Sequence, residues 1–580
     1  MIMQRLQGLT DALGRYPLTS AFLAASAIIN ALNINDYSLN YEKFIVTFVV
    51  GAFLGAVAQA IFERFFTKQH HRIALSALAA LLTGGYYFII SAAPEFSVEI
   101  GLRTSIALFA LLISFILVPS LKNKTSFNQS FMISFKSFFV ALFFSLVIML
   151  GMSLIIGAID QLLFRVSYRA IAHTANIIFT LFGTLYFLSL VPLYHKESEE
   201  QIAEAASTPK FLEILISYII IPLTAVFTVI LLIYIFLNIG GQFWTDNLLE
   251  PMLVSYSIIV ILVYILASSL SNKFANLYRK IFPKILVPIV IFQIISSVLS
   301  LGDTGVTLGR YFTILYGVFA ATTGVILSIV PLRKNGLVAI LLIAFSIVSI
   351  VPPTDAFTIS RNSQLRIVEE TLISNDMLAD DTVMPDATIS EEDKDRIRTG
   401  MRNLQNLGYI ERISWLPEDF NYYRDFSDTF GFSEYERADH MRDFTFVNLD
   451  SQEPISISGY DFMLSQYRVS NREEAEGIVT TFTKGELDYT IEEIRNAEQE
   501  VTLVLYEDPE NELLRFNTQD IFEFFMDFED TNNMIPPEIA TFSAESDEAI
   551  LTAIIQDLHI DKSSNETRQN ATMYLLIRVK

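Results

Sequence analysis

The sequence predicts an α-helical polytopic membrane bundle of about eleven spans, followed by an extracytoplasmic α+β domain. Three observations carry that reading. Apolar residues make up 52% of the 580 positions and charged residues only 18%, where a soluble chain carries about a quarter charged residues. The apolar residues gather into long runs before residue 353. The acid gathers after it: residues 353–580 hold 48 Asp and Glu against 19 Lys and Arg, which leaves the first 352 residues mildly basic. The composition therefore divides the chain into a helical membrane domain, 1–352, and an acidic domain, 353–580.

A helix needs roughly 20 apolar residues to cross a hydrocarbon core. Such runs lie near 16–33, 44–62, 73–92, 104–120, 131–158 and 171–193, then near 211–238, 251–270, 285–301, 311–331 and 336–352. The first is the most polar, interrupted by Thr19, Ser20, Ser26 and Asn30. Because many spans follow it, it reads as a span and not as a cleaved leader. In the second run Gly51 and Gly55 share one helix face at the spacing that lets backbones approach, and Gln59 continues the row. Pro222 and Pro288 stand inside the seventh and ninth runs, where a kink is expected.

Orientation follows from the loop cations, because positive loops stay cytoplasmic. Alternate segments carry fifteen Lys and Arg against five in the opposite set (Lys43, Arg103, Arg165, Arg169 and Arg310). The N-terminus is expected in the cytoplasm and residues 353–580 outside. Within that outer domain, 353–410 read as a mostly helical connector. Ser390 opens one helix with Asp393 three residues on, and Gly408 closes it. Residues 411–580 read as mixed, with strands around Phe444, Ile455, Val501 and Met573 and a turn at 507–511.

Several chemistries are excluded or disfavoured. No cysteine is present, which removes disulfides, thiol catalysis and thiolate metal sites. Inside the runs the Asp, Glu, His, Lys and Arg side chains are Lys136, His173 and Glu213, each near a helix end where it can reach the interface. Ion-coupled carriers keep such groups near mid-membrane. The loop carboxylates Asp36, Glu42, Glu95, Glu99, Asp160, Asp246 and Glu250 form no Asp-Asp pair, and no His cluster accompanies them, as a metal-dependent transferase would need. His70 and His71, adjacent in one loop, make a poor chelate. Beyond residue 353 stand His440, His559 and the acidic group Asp527, Glu529 and Asp530, with no phosphate loop, nucleophile elbow or calcium loop. No cofactor and no metal are expected, and the acidic excess of the outer domain opposes nucleic acid or anionic lipid as that domain's partner.

Two stretches carry a resemblance. The first is Asp303-Thr-Gly-Val-Thr-Leu-Gly-Arg-Tyr, preceded by Asn272-Lys-Phe-Ala-Asn-Leu-Tyr-Arg; the second runs from Val351 through Gln364 to Arg366. With the segment from Ile455 to Phe462 they resemble a family of bacterial multi-spanning membrane proteins described only as a domain of unknown function. Thr307, Arg310, Tyr311, Phe357, Ser360, Ser363 and Gln364 match its two elements, and Thr304 stands where tyrosine is usual. The resemblance implies a bacterial cytoplasmic membrane and supplies no activity.

Asp303, Thr307, Arg310 and Tyr311 fall at the outer end of the tenth run, and Ser360, Arg361, Ser363 and Gln364 just past the outer end of the eleventh. These eight are the candidate site, as a domain seam or a ligand site. Arg310 is expected to bond Asp303 or the segment 355–364, since arginine near hydrocarbon needs a partner. The reading that fits best is a non-enzymatic envelope platform presenting its outer domain for sensing, scaffolding or partner binding. Its partners would be the bilayer and an envelope protein or lipid-linked molecule. The alternatives are a permease or flippase for an uncharged or amphipathic substrate, and a membrane-embedded transferase acting on lipid-linked material.

Overall fold

The computed structural model describes residues 2–36, 41–93, 96–122, 125–238, 250–379, 381–417, 419–434, 444–450, 453–471, 477–496, 500–508, 511–526, 534–562 and 567–580. Among them, eleven helices are long and apolar enough to cross a membrane. The first six are Pro17–Asn35, Glu42–Phe65, Gln69–Ser91, Val98–Ser120, Phe127–Leu162 and Arg169–Leu190. The others are Lys210–Leu237, Pro251–Ser269, Lys273–Leu299, Leu308–Ile329 and Leu332–Ile350. The chain is a multi-pass membrane protein, and these helices face lipid. Ahead of them lies a helix that the apolar-run test passes over, Ile2–Arg15.

The polar residues that weaken the first span turn out to be its fastenings. Asn30 Nδ2 donates to Asn176 Oδ1 of the sixth span at 2.9 Å, and Asn176 Nδ2 returns a bond to the Ala27 carbonyl at 2.7 Å. Thr19 Oγ1 donates to the Ala52 carbonyl of the second span at 3.0 Å. Gly51 and Gly55 lie along that same contact: a Cβ on Gly55 would sit 3.1 Å from the Thr19 backbone nitrogen. Asn176 also opens a π-helical turn, Asn176–Gly183, inside the sixth span. A second π-turn, Leu215–Ile220, precedes Pro222 in the seventh. Pro283 and Pro288 both stand inside the ninth.

Helix C-termini leave carbonyls without a partner in the helix, and here basic side chains from neighbouring elements reach them. Arg103 bonds the Ile350 carbonyl, Arg15 the Val191 carbonyl at 2.5 Å and Arg64 the Leu121 carbonyl at 2.6 Å. Lys43 bonds the Ala93 carbonyl, and Arg279 the Leu270 carbonyl at 2.8 Å.

Beyond the last span come three helices, Ala356–Ser374, Glu391–Asn406 and Tyr422–Phe430, around a core that includes Val368, Leu372, Ile397, Met401, Phe426 and Phe430. Ser390 caps the second of them, accepting from the Asp393 amide at 3.2 Å, and Gly408 turns the chain at φ +67°. By packing, the chain forms two compact units, Met1–Phe432 and Ser433–Lys580. The border in composition at 353 and the border in packing at 432 are thus different places.

The second unit is built on two sheets. In the larger the order is Phe462–Ser470, Arg568–Val579, Ala549–Asp561, Phe444–Leu449 and Met534–Ile535, with Thr541–Glu545 also paired to Ala549–Asp561. The smaller is the meander Gly477–Lys484, Leu487–Arg495, Val501–Glu507 and Asn511–Asn517. Both sheets and the helix Gln519–Met526 share one core, with Ile491, Leu503, Leu551, Leu575 and Phe525 fully buried. At the expected turn, Asp508 holds φ +54° and the Asn511 amide donates to the Asp508 carbonyl at 3.3 Å, while 509 and 510 lie outside the described residues. The expected strand at Ile455 is absent: 455–457 are partly or fully exposed and lead into a turn closed by Tyr460 N to the Ile457 carbonyl. The strand starts instead at Phe462.

Gly55→Leu is expected to force the first two spans apart and to lower stability by about 1–3 kcal/mol, the usual cost of overpacking. The thermal midpoint of the purified protein, compared with that of an Ala substitution at the open position Gly157, checks it.

Candidate functional site

Two side chains one turn apart on the fourth span begin the site. Ser97 caps that helix, accepting from the Ile100 amide, and the i,i+4 spacing puts Glu99 and Arg103 on one face. Arg103 Nη2 lies 2.7 Å from Glu99 Oε1 and 2.5 Å from Asp355 Oδ1. The guanidinium stacks 5.0 Å over the Phe357 ring. Asp355, wholly buried, is also the N-cap of Ala356–Ser374: its Oδ1 accepts from the Phe357 and Thr358 amides, each at 3.1 Å. Burial pushes its carboxyl up, but those bonds and the Arg103 charge outweigh burial and hold it below the ordinary range. Glu99 Oε2 accepts from Tyr409 at 2.7 Å, and the Tyr409 hydroxyl is pushed well up by burial and by that carboxylate.

Seven of the eight candidate residues, all but Asp303, gather beside this network. Gly305 holds φ +64°, which strains any other residue, and a Cβ there would sit 2.2 Å from Ile367 Cδ1 and 2.9 Å from Ser363 Oγ, so both side chains would have to move. Across the contact, the Val306 amide donates to Ser363 Oγ at 2.9 Å. Gln364 Nε2 donates to the carbonyls of Thr304 at 2.9 Å and Val306 at 3.3 Å, while its Oε1 accepts from Asn403 at 3.0 Å. Tyr311 donates to the Thr354 carbonyl at 2.5 Å. Thr307 caps the tenth span, accepting from the Arg310 amide at 3.3 Å.

Arg310 is buried and donates to the Ser300 carbonyl at 2.6 Å and to Thr304 Oγ1, both in the turn before its own span. Among the described residues, Ser363 and Gln364 bond the backbone of 304–306, and Tyr311 bonds the carbonyl of Thr354, just before the segment 355–364. Arg361 lies 5.0 Å over the Tyr409 ring. Ser360 Oγ is buried with no partner among the described residues. The side chain of Asp303 lies outside the described residues, as do those of Glu95, Asp246, Glu250, His440, Asp527, Glu529 and Asp530.

A second polar cluster, which the sequence reading passed over, lies at the opposite ends of the spans. Arg15 grips Glu63 with both fork nitrogens, Nε to Oε1 at 2.8 Å and Nη2 to Oε2 at 2.7 Å. Gln59 Nε2 joins Glu63 Oε1 at 2.9 Å, and Arg72 Nε donates to Gln59 Oε1 at 3.0 Å. Gly51, Gly55, Gln59 and Glu63 are one i,i+4 row, and Glu63 stands one residue past the apolar run 44–62. Lys136, His173 and Glu213 each have a partner, Ser207 O, Asn35 Oδ1 and Asn272 Nδ2 respectively. Among the described residues no group of three or more His, Asp or Glu is placed to hold a metal ion.

Compared with known families, residues 18–389 match the model described as domain of unknown function (DUF4153). The chain belongs to the DUF4153 family. The DUF4153 match takes in the first span from Leu18 on, the other ten spans, Arg103, both candidate elements and helix 356–374, and so runs past the change in composition at 353. No curated protein and no solved structure matches the chain.

Asp355→Asn is expected to loosen helix 356–374 from the spans by about 1.5–3 kcal/mol, the worth of hydrogen bonds to a charged group, read as faster amide exchange across 356–374. Because the folded carboxyl is held below its ordinary value of 3.8, its contribution is present above that value and lost as the pH falls through the lower folded one. The variant should lack this acid-side loss of protection.

Proposed function

We propose that the chain is a non-enzymatic platform of a bacterial cytoplasmic membrane, with its N-terminus in the cytoplasm and residues 353–580 outside, presenting its acidic C-terminal part for sensing, scaffolding or partner binding. The observation that carries the reading is the way residues 355–409 are fastened. Arg103, Asp355, Glu99 and Tyr409 form one chain of charge-assisted bonds, and Ser363 and Gln364 bond the backbone of 304–306. Charge-assisted and backbone bonds of this kind position a rigid support. The basic bias of the loops on the N-terminal face supports the orientation.

A second reading, a permease or flippase for an uncharged or amphipathic substrate, is favoured by Gln293. It is 1% exposed within the ninth span, and neither amide atom has a partner among the described residues. Lipid scrambling in reconstituted vesicles that vanishes in Gln293→Leu would favour this reading over the platform.

The natural absence of cysteine makes the orientation directly testable. Asp547→Cys and Lys68→Cys, both at exposed positions, are labelled in intact cells with a membrane-impermeant maleimide. Labelling at 547 and protection at 68 until lysis is the expected result; the reverse pattern overturns the platform's orientation.

A further inference from the structure

We propose that the end of the bundle around Arg15 and Glu63 is a binding site for a phosphate-bearing anion, supplied as free phosphate or as an anionic lipid headgroup. Two cavities meet at that ion pair. One, of about 290 Å³, is lined by Tyr16, Arg64, Phe115 and Tyr194 among others. The other, of about 540 Å³, is lined among others by Asp11, Arg72 and Lys196. Arg15, Glu63 and His195 border both. Together they fall in or near the size range of small-ligand sites, roughly 300–1,000 Å³.

The charge balance decides the kind of ligand. Arg15 and Glu63 neutralise one another through two hydrogen bonds. That leaves Arg64, Arg72 and Lys196 against the single carboxylate of Asp11 among the lining residues. Arg64 lines the smaller cavity, and Arg72 and Lys196 line the larger with Asp11, so positive charge is in excess on both sides of the ion pair and favours an anion over a cation.

The two arginines are also held in place beforehand. Arg72 spends Nε on Gln59 and Nη2 on the carbonyls of Gly14, at 3.1 Å, and Arg15, at 2.8 Å. Arg64 spends Nε on the Leu121 carbonyl and Nη2 on that of Lys122. Each keeps its Nη1 without a partner among the described residues. A guanidinium fixed along one edge, with N–H groups left over, suits phosphate oxygens and loses little freedom on binding.

Position completes the case. The lining residues stand at the ends of the first, second, third, fourth and sixth spans, the depth at which lipid headgroups lie. Basic pockets between spans at that depth suit anionic headgroups. Ala60, Phe115 and Val191 add apolar wall to the smaller cavity, which suits the glyceride end of a lipid.

The test uses the purified full chain and two probes. Inorganic phosphate is titrated into the detergent-solubilised protein at constant ionic strength, with the thermal midpoint as readout. Retention of phosphatidylglycerol against phosphatidylcholine is measured by native mass spectrometry. Lys196 is exposed, so Lys196→Glu should fold normally; it and Arg64→Gln should each weaken binding about tenfold or more, as loss of one charge-assisted contact does. Lys68→Gln, an exposed cation outside the cavities, should leave binding unchanged. Stabilisation by phosphate identifies the free anion, and selective retention of phosphatidylglycerol identifies the headgroup. Binding of neither probe overturns the proposal, as does binding that Lys196→Glu and Arg64→Gln weaken no more than Lys68→Gln does.

Discussion

A helix that ends beside lipid leaves its last carbonyls with no intrahelical partner and no ready supply of water. Much of this structure answers that constraint. The carbonyls at 93, 121, 191, 270 and 350 all accept from an arginine or lysine of another segment. Each such cation is held near a span end and then becomes the natural partner for whatever acid lies nearby. Where that acid is Asp355, which also starts helix 356–374, one guanidinium closes the last span, neutralises a buried carboxylate and aims the next helix.

The consequences run outward from there. Once helix 356–374 is aimed, Ser363 and Gln364 fall on the backbone at 304–306, and Gly305 is the residue that permits the approach. Gln364 hands the geometry on to Asn403, and Val368 to Gly400, so helix 391–406 is set by the helix before it. Tyr409 then returns to Glu99 on the span where the chain of bonds began. At the opposite ends of the spans the same device recurs with Arg15, Glu63 and the 191 carbonyl. There the surplus of basic groups leaves donors over.

Where the sequence could be read, it was read through periodicity and composition. The eleven spans, the Ser390 cap, the Gly408 turn and the strands at 444, 501 and 573 follow from apolar run length, capping chemistry and alternation. What escaped was set by partners distant in sequence. The polar residues of the first span look like weakness until Asn176 and Ala52 are placed beside them. Glu63 looks like a loop charge until Arg15 is beside it, and Arg103 carries no hint of Asp355, 252 positions on. The candidate elements around 304–311 and 355–364 were legible as neighbours, because both follow spans that end on one face. Which atoms join them depends on a glycine conformation and a helix direction that no local pattern encodes. The packing border at 432 was hidden because helix 356–374, polar enough to read as part of the acidic domain, bonds the backbone at 304–306 through Ser363 and Gln364 and packs Val368 and Leu372 against the helices that end at Phe430.

The central claim is that residues 353–432 belong to the membrane unit by packing, despite their composition. Amide exchange on a chain ending at Phe432, set against the full chain, tests it most directly. The account predicts unchanged protection of helices 356–374 and 391–406 in the shortened chain. Loss of that protection, with the spans still folded, would place these helices with residues 433–580 and contradict it.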